Sequence, residues 1–123
     1  MPGSRRGRRL WLRVDVQGHR IPVYVVKVVD EEGSEGEYDS EAPAILIRQV
    51  DNVAAMKQTL HHELLHVCFR GHSGTTREGL FRSKTPEGRH AREEAIISFL
   101  EPIQFDLLVR NGWLRYPNPP RVK

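Results

Sequence analysis

The strongest constraint on the fold is a change in hydrophobic period near residue 50. Residues 9–17 alternate apolar and polar side chains, and residues 21–29 are mostly β-branched or aromatic, so both ranges predict strands. A third short strand is expected over residues 44–47. From about Val53 to Phe69 the apolar residues recur at helical spacing and on more than one face, which predicts a mostly buried helix.

The second half of the chain predicts further helices. Residues 85–87 (Thr-Pro-Glu) combine a capping hydroxyl, a first-turn proline and an acid, which is typical of the start of a helix. We expect this helix to run to about Leu100, Pro102 to break or kink it, and a short last helix to follow over residues 103–110. The order predicts an α+β fold, in which a short three-stranded sheet packs against the helix of residues 53–69 and one or two further helices.

The length bounds the domain organisation. A chain of 123 residues fits one domain. We expect residues 1–8 to form a disordered basic arm, residues 9–112 to form the domain, and residues 113–123 to form a proline-rich extended tail. The apolar residues form no transmembrane stretch, and the single cysteine excludes an internal disulfide, so we expect a cytoplasmic protein that makes no membrane contact.

The charge is unevenly distributed along the chain. The formal net charge is +3, but residues 30–43 contain seven acids and no base, and we expect this stretch to be a flexible loop between two strands. Arginines crowd the N-terminus at positions 5, 6, 8, 9 and 13. Such an arm is suited to contact phosphates, which makes nucleic acid a candidate partner.

One short motif points to chemistry. Within HHELLH, residues 62–66 read H-E-x-x-H. Residues four apart lie on one helix face, one turn apart, so the imidazoles of His62 and His66 can bind one Zn²⁺. In proteins with this pattern Glu63 acts as general base on a zinc-bound water. The alternative is an ordinary amphipathic helix with surface histidines. The neighbouring leucines indicate that the helix is buried, and burying polar side chains such as His62, Glu63 and His66 is costly unless they bind something.

A catalytic zinc needs a third protein ligand, and the sequence offers alternatives. His72 lies six residues after His66, the offset found in metzincins, although Phe69 stands where that pattern needs glycine. Glu93 and Glu94 lie on the predicted second helix, and gluzincins take a glutamate from such a helix. We favour Glu94, because it shares a helix side with small residues that allow the two helices to approach closely.

These elements together resemble a known group of proteins. Short strands, TLHHELLH on a helix, then EEAIISFLEPI and LLVRNG, are similar to small H-E-x-x-H metallopeptidases of bacteriophages and mobile elements. More distantly, they are similar to the minimal gluzincins that cleave phage-type repressors. The resemblance covers roughly residues 43–112 and implies a zincin-like fold, with His62, His66 and Glu94 as zinc ligands and Glu63 as base.

The sequence therefore predicts a zinc-dependent metallopeptidase. A zinc-bound water activated by Glu63 would hydrolyse a peptide bond, and His72 or His90 would help to stabilise the oxyanion. The peptide or protein substrate would lie extended beside the sheet edge next to the metal-binding helix. The alternative is a non-catalytic, zinc-stabilised module that binds nucleic acid or a protein partner through its basic surface.

Overall fold

The structure, a computed structural model, describes residues 7–16, 18–27, 34–39, 43–71 and 85–122. Within these ranges the predicted α+β class is confirmed, as a four-stranded mixed sheet with two helices. Neither helix in the described part of the chain is long and apolar enough to cross a bilayer. The strands are β1 (Arg8–Val16), β2 (His19–Val26), β3 (Gly36–Asp39) and β4 (Ala44–Arg48), and the helices are α1 (Val53–Gly71) and α2 (Pro86–Arg110).

Strands β1 and β2 form an antiparallel hairpin. Gly18 occupies its turn with φ 84°, a conformation that favours glycine, and its N–H donates to Asp15 Oδ1 at 3.0 Å. The register shifts between Leu10 and Leu12, and Trp11 is buried in the core at this point. The bulge therefore interrupts the strict alternation that the sequence predicts for β1.

The sheet has four strands where three were predicted. The order is β1-β2-β4-β3, with β2 and β4 parallel and β3 antiparallel to β4. Strand β3 lies inside the acidic stretch of residues 30–43, so the prediction of a loop is wrong for Gly36–Asp39. Gly36 is buried and Tyr38 packs against the core, and these two residues alternate with acids. This period of two supports a strand despite the acidic composition.

Helix α1 packs across the sheet and positions the site. The Oδ1 atom of Asn52 accepts the Ala55 N–H at 3.1 Å, which caps the start of the helix. Apolar side chains of α1 then meet the buried side chains of β2 and β4, which fixes the rotation of the helix about its axis. The core of this layer consists of Val23, Val25, Ile45, Ile47, Met56, Leu60 and Val67.

Helix α2 is continuous, which corrects the prediction of a break at Pro102. Thr85 caps it, because its Oγ1 accepts the Gly88 N–H at 3.0 Å. The helix then runs through Pro102 to Arg110 without a separate third helix. Proline removes the hydrogen bond to the carbonyl of Ser98. Both residues are exposed, so water can satisfy that carbonyl and the helix continues.

The C-terminal segment, residues 113–122, runs back along the sheet. The Trp11 indole N–H donates to the Pro117 carbonyl at 2.9 Å. The Val122 N–H donates to Gln49 Oε1 at 2.6 Å, the Gln49 amide donates back at 3.3 Å, and the Val122 side chain is buried. These contacts attach the segment to β1 and to the residue that follows β4.

Adding a methyl group at position 36 should strain the contact between β3 and α1. A Cβ built on Gly36 would lie 2.8 Å from Thr59 Cγ2 and 3.3 Å from Glu63 Cγ. We expect Gly36→Ala to lower the free energy of unfolding by about 1–3 kcal/mol, measured by urea denaturation. Thr59→Ser removes the nearest methyl and keeps the hydroxyl that donates to the Ala55 carbonyl, so the double variant should recover most of this loss. Equal stability of Gly36→Ala and the parent would contradict this packing.

Candidate metal centre

Three side chains from two helices converge on one point. The Nε2 atom of His62 lies 3.0 Å from Glu94 Oε1, and the Nε2 atom of His66 lies 2.7 Å from Glu94 Oε2. One potential ligand atom from each of the three residues lies within 4.8 Å of the other two. These separations are close to the roughly 3.3 Å between two donors on one tetrahedral zinc ion. The three residues that the sequence analysis favoured as ligands therefore form a group that can hold a metal ion.

The inner face of α2 explains why Glu94 reaches α1. Glu93, Ile97 and Glu101 lie four residues apart and are all buried, so this row faces α1. Glu94 lies next to the row, at its rim, and its side chain is 43 % exposed. Small neighbours are not the cause of this approach, because Ala91 is exposed.

Glu93 lies behind His66 and not among the potential ligands. Its side chain has no exposed surface, and its Oε1 accepts a hydrogen bond from His66 Nδ1 at 2.8 Å. A proton held on Nδ1 leaves the Nε2 lone pair free to face the metal position. The sequence analysis considered Glu93 only as an alternative ligand. The structure gives it the geometry of a carboxylate that orients a ligand.

Glu101 is a site residue that the sequence analysis missed. It is buried, its Oε1 lies 3.7 Å from His62 Nδ1, and its Oε2 accepts from the Gln58 amide at 3.0 Å. Each of the two histidines thus has a carboxylate beside its Nδ1 atom. The spacing of Glu93 and Glu101, eight residues apart on one helix face, was the signal available in the sequence.

The electrostatic environment of the centre favours a cation. Burial lowers the pKa of His66, but the hydrogen bond to Glu93 and the charges of Glu94 and Glu63 raise it more, so the net pKa is higher than the ordinary value of 6.5. The same carboxylates that stabilise a proton on this ring stabilise a metal ion in its place.

The centre lies in a cleft of about 790 Å³ between the two helices and β3. Glu63, whose side chain is buried, lines this cleft together with the three potential ligands. His90 also lines it, and its ring stacks on His66 with 6.4 Å between centroids. Strand β3 contributes Gly36, Glu37 and Tyr38 to the opposite wall. The cleft therefore joins a potential metal site to β3, the last strand of the sheet in the described part of the chain.

His61, which directly precedes the motif, has a structural environment. Its Nδ1 lies 2.9 Å from the Tyr116 hydroxyl and its Nε2 lies 2.8 Å from Gln104 Oε1. Burial, followed by the charge of Cys68, raises the pKa of Tyr116 to about 12, so this hydroxyl stays protonated. His61 thus connects α1 to α2 and to the C-terminal segment, and both of its ring nitrogens have partners.

The remaining predictions concern His72 and the N-terminal arm. His72, the alternative third ligand, and residues 1–6 of the predicted arm lie outside the described residues. Arg8 belongs to β1, where its guanidinium carbon lies 4.2 Å from the centroid of the Tyr24 ring. Arg9, on the same strand, donates to a carbonyl of the C-terminal segment.

Comparisons with known proteins assign no family to the chain. No protein-family model, curated protein or solved structure matches it significantly. The geometry of the residues described above is therefore the basis for the function proposed below.

Protons should compete with the metal for this centre. Because the pKa of His66 is raised above 6.5, a metal ion must displace a proton at pH values where an ordinary histidine is already neutral. We expect Zn²⁺ affinity to fall as the pH drops through that raised pKa, about tenfold per pH unit for each proton displaced. Titration against a chromophoric chelator at a series of pH values measures this. Affinity that stays constant down to pH 6 would contradict the raised pKa.

Removing the charge of Glu93 should weaken metal binding without removing a ligand. We expect Glu93→Gln to reduce Zn²⁺ affinity about 10- to 100-fold, because His66 loses the carboxylate that orients it. Glu94→Gln, which removes a potential ligand, should have a larger effect. Glu87→Gln, a change in the exposed first turn of the same helix, should have none. Unchanged affinity in a folded Glu93→Gln variant would contradict the orienting role.

Proposed function

We propose that the chain is a zinc-dependent metallopeptidase with a minimal zincin-like arrangement. The observation that carries this proposal is the convergence of His62, His66 and Glu94 beside Glu63, in a cleft bordered by an edge strand. A zinc ion held by two histidines and one glutamate, with its fourth coordination position open to water, is typical of catalytic sites and not of structural ones. The resemblance to small bacteriophage H-E-x-x-H proteins implies the same set.

Glu63 is the proposed general base. Zinc, when bound, lowers the pKa of a water molecule and polarises a carbonyl oxygen. Glu63 adjoins His62 in the sequence and lines the same cleft, so its carboxylate can take the proton of the attacking water. The water oxygen then bonds to the carbonyl carbon. As the carbon–nitrogen bond breaks, Glu63 returns the proton to the leaving amine.

His90 is the proposed donor to the oxyanion. It lines the cleft on α2 and its ring stacks on His66, so an N–H of its imidazole can point into the space where the carbonyl oxygen gains charge. This role corresponds to the one that the sequence analysis gave to His72 or His90.

Strand β3 is the proposed docking edge for the substrate. One side of β3 pairs with β4, and the described part of the chain places no strand on its other side. An extended peptide can therefore add to this edge through main-chain hydrogen bonds. A Cβ on Gly36 would lie 3.3 Å from Glu63 Cγ, so the edge runs directly past the proposed base. This geometry presents a substrate backbone to the site without the need for deep side-chain pockets.

The variant Glu63→Gln tests the proposal. It keeps the size of the side chain and removes the base, so hydrolysis should slow by about 10²- to 10⁴-fold. Zinc content and the circular dichroism spectrum should stay those of the parent. Activity is measured by mass spectrometry of the new termini in a peptide mixture incubated with the zinc-loaded chain.

Two controls make the test specific. His66→Ala should lose both zinc and hydrolysis, and Glu87→Gln should lose neither. A zinc-loaded parent that cleaves no peptide, or an unchanged rate in Glu63→Gln, would overturn the peptidase and favour the non-catalytic, zinc-stabilised binding module.

A further inference from the structure

Helix α2 carries its apolar and polar residues on unexpected sides. Its face toward α1 is acidic, and a face about 100° further around the helix axis is apolar and largely solvent-exposed. Phe99 is 68 % exposed and Ile103 is 61 % exposed. A helix at the surface of a single domain normally shows the reverse arrangement. We call five apolar residues the outer stripe, of which the first is half-buried and the other four are exposed: Ile96, Phe99, Leu100, Ile103 and Leu107.

The spacing of the outer stripe matches a helix partner. Ile96, Leu100, Ile103 and Leu107 follow one another at intervals of four, three and four residues. This is the heptad spacing of the seam between two paired helices. The stripe runs along the middle and C-terminal half of α2, so a second helix has a continuous apolar contact to follow.

We propose that α2 pairs antiparallel with α2 of a second copy of the chain, about a twofold axis between Leu100 and Ile103. The intervals of four, three and four residues read the same from either end of the stripe. This axis therefore places Ile96 of one copy opposite Leu107 of the partner subunit, and Leu100 opposite Ile103 of the partner subunit. The stripe is thus complementary to itself, which is what a twofold pairing requires.

The apolar area is large enough for a reversible dimer. The outer stripe presents roughly 400 Å² of apolar surface, within the range of the largest apolar patches on soluble proteins, which are often functional. This is below the roughly 800 Å² that each partner contributes to a standard interface, so we expect a dissociation constant in the micromolar range. The potential ligands lie on the other side of α2, so this pairing does not depend on the proposed peptidase activity.

Sedimentation velocity of the full chain over an about hundred-fold dilution tests the pairing. The parent should shift from dimer to monomer on dilution. Phe99→Glu should remain monomeric, with a dissociation constant raised at least about tenfold, because it places two charges in the apolar seam. Ser98→Glu, at an adjacent exposed position outside the stripe, should dimerise like the parent. A monomeric parent, which would leave the face to another protein, or a dimer that Phe99→Glu does not affect, would overturn the proposal.

A pair of cysteines tests the antiparallel geometry. In a Cys68→Ser background, the double variant Ile96→Cys, Leu107→Cys should form a disulfide-linked dimer on mild oxidation, because these two positions face one another across the axis. Each single variant should stay unlinked, since its two copies of the cysteine lie roughly 16 Å apart along the helix axis. Crosslinking of the single variants would instead overturn the antiparallel arrangement.

Discussion

The hydrogen bond between His66 and Glu93 is the interaction on which the site depends. It joins α1 to α2 with a carboxylate that has no exposed surface. Such a group is costly to bury unless a donor or a cation compensates it. Two further polar contacts join the same helices: Gln58 to Glu101 and His61 to Gln104. Together, these contacts hold α2 against α1 in the position that brings Glu94 to both histidines. Polar contacts between the helices therefore set both the helix pairing and the composition of the candidate metal centre.

The interface between the two helices is unusual because little of it is apolar. Ile97 is the buried apolar residue of α2, and its neighbours along the same row are Glu93 and Glu101. Hydrophobic burial therefore contributes little to this contact, and much of it consists of hydrogen bonds from the histidines and an amide of α1 to carboxylates of α2. A metal ion bound here would stabilise the helix pair, so that part of the binding free energy would appear as folding free energy.

The sequence predicts the order of elements well and the positions of single residues less well. Periodicity identifies the hairpin and both helices, and the four-residue spacing places His62 and His66 on one face. Composition is misleading for β3, because acids are frequent there although the alternation is that of a strand. The distinct roles of Glu93 and Glu94 depend on the distance and rotation between two helices. The four-residue spacing of Glu93, Ile97 and Glu101 indicates that they share one face, but no local pattern gives the distance from Glu94 to the histidines.

The contacts of the C-terminal segment have a consequence for the folding kinetics of the chain. Trp11 and Pro117 are hydrogen-bonded across 106 positions, and Arg9 and Arg121 across 112. Closing a loop of nearly the whole chain costs more conformational entropy than forming the hairpin or the helices. Contacts between residues so far apart in the sequence slow folding, and they add little stability until the sheet on which the segment packs has formed. We therefore expect the segment to dock last, after the sheet has assembled.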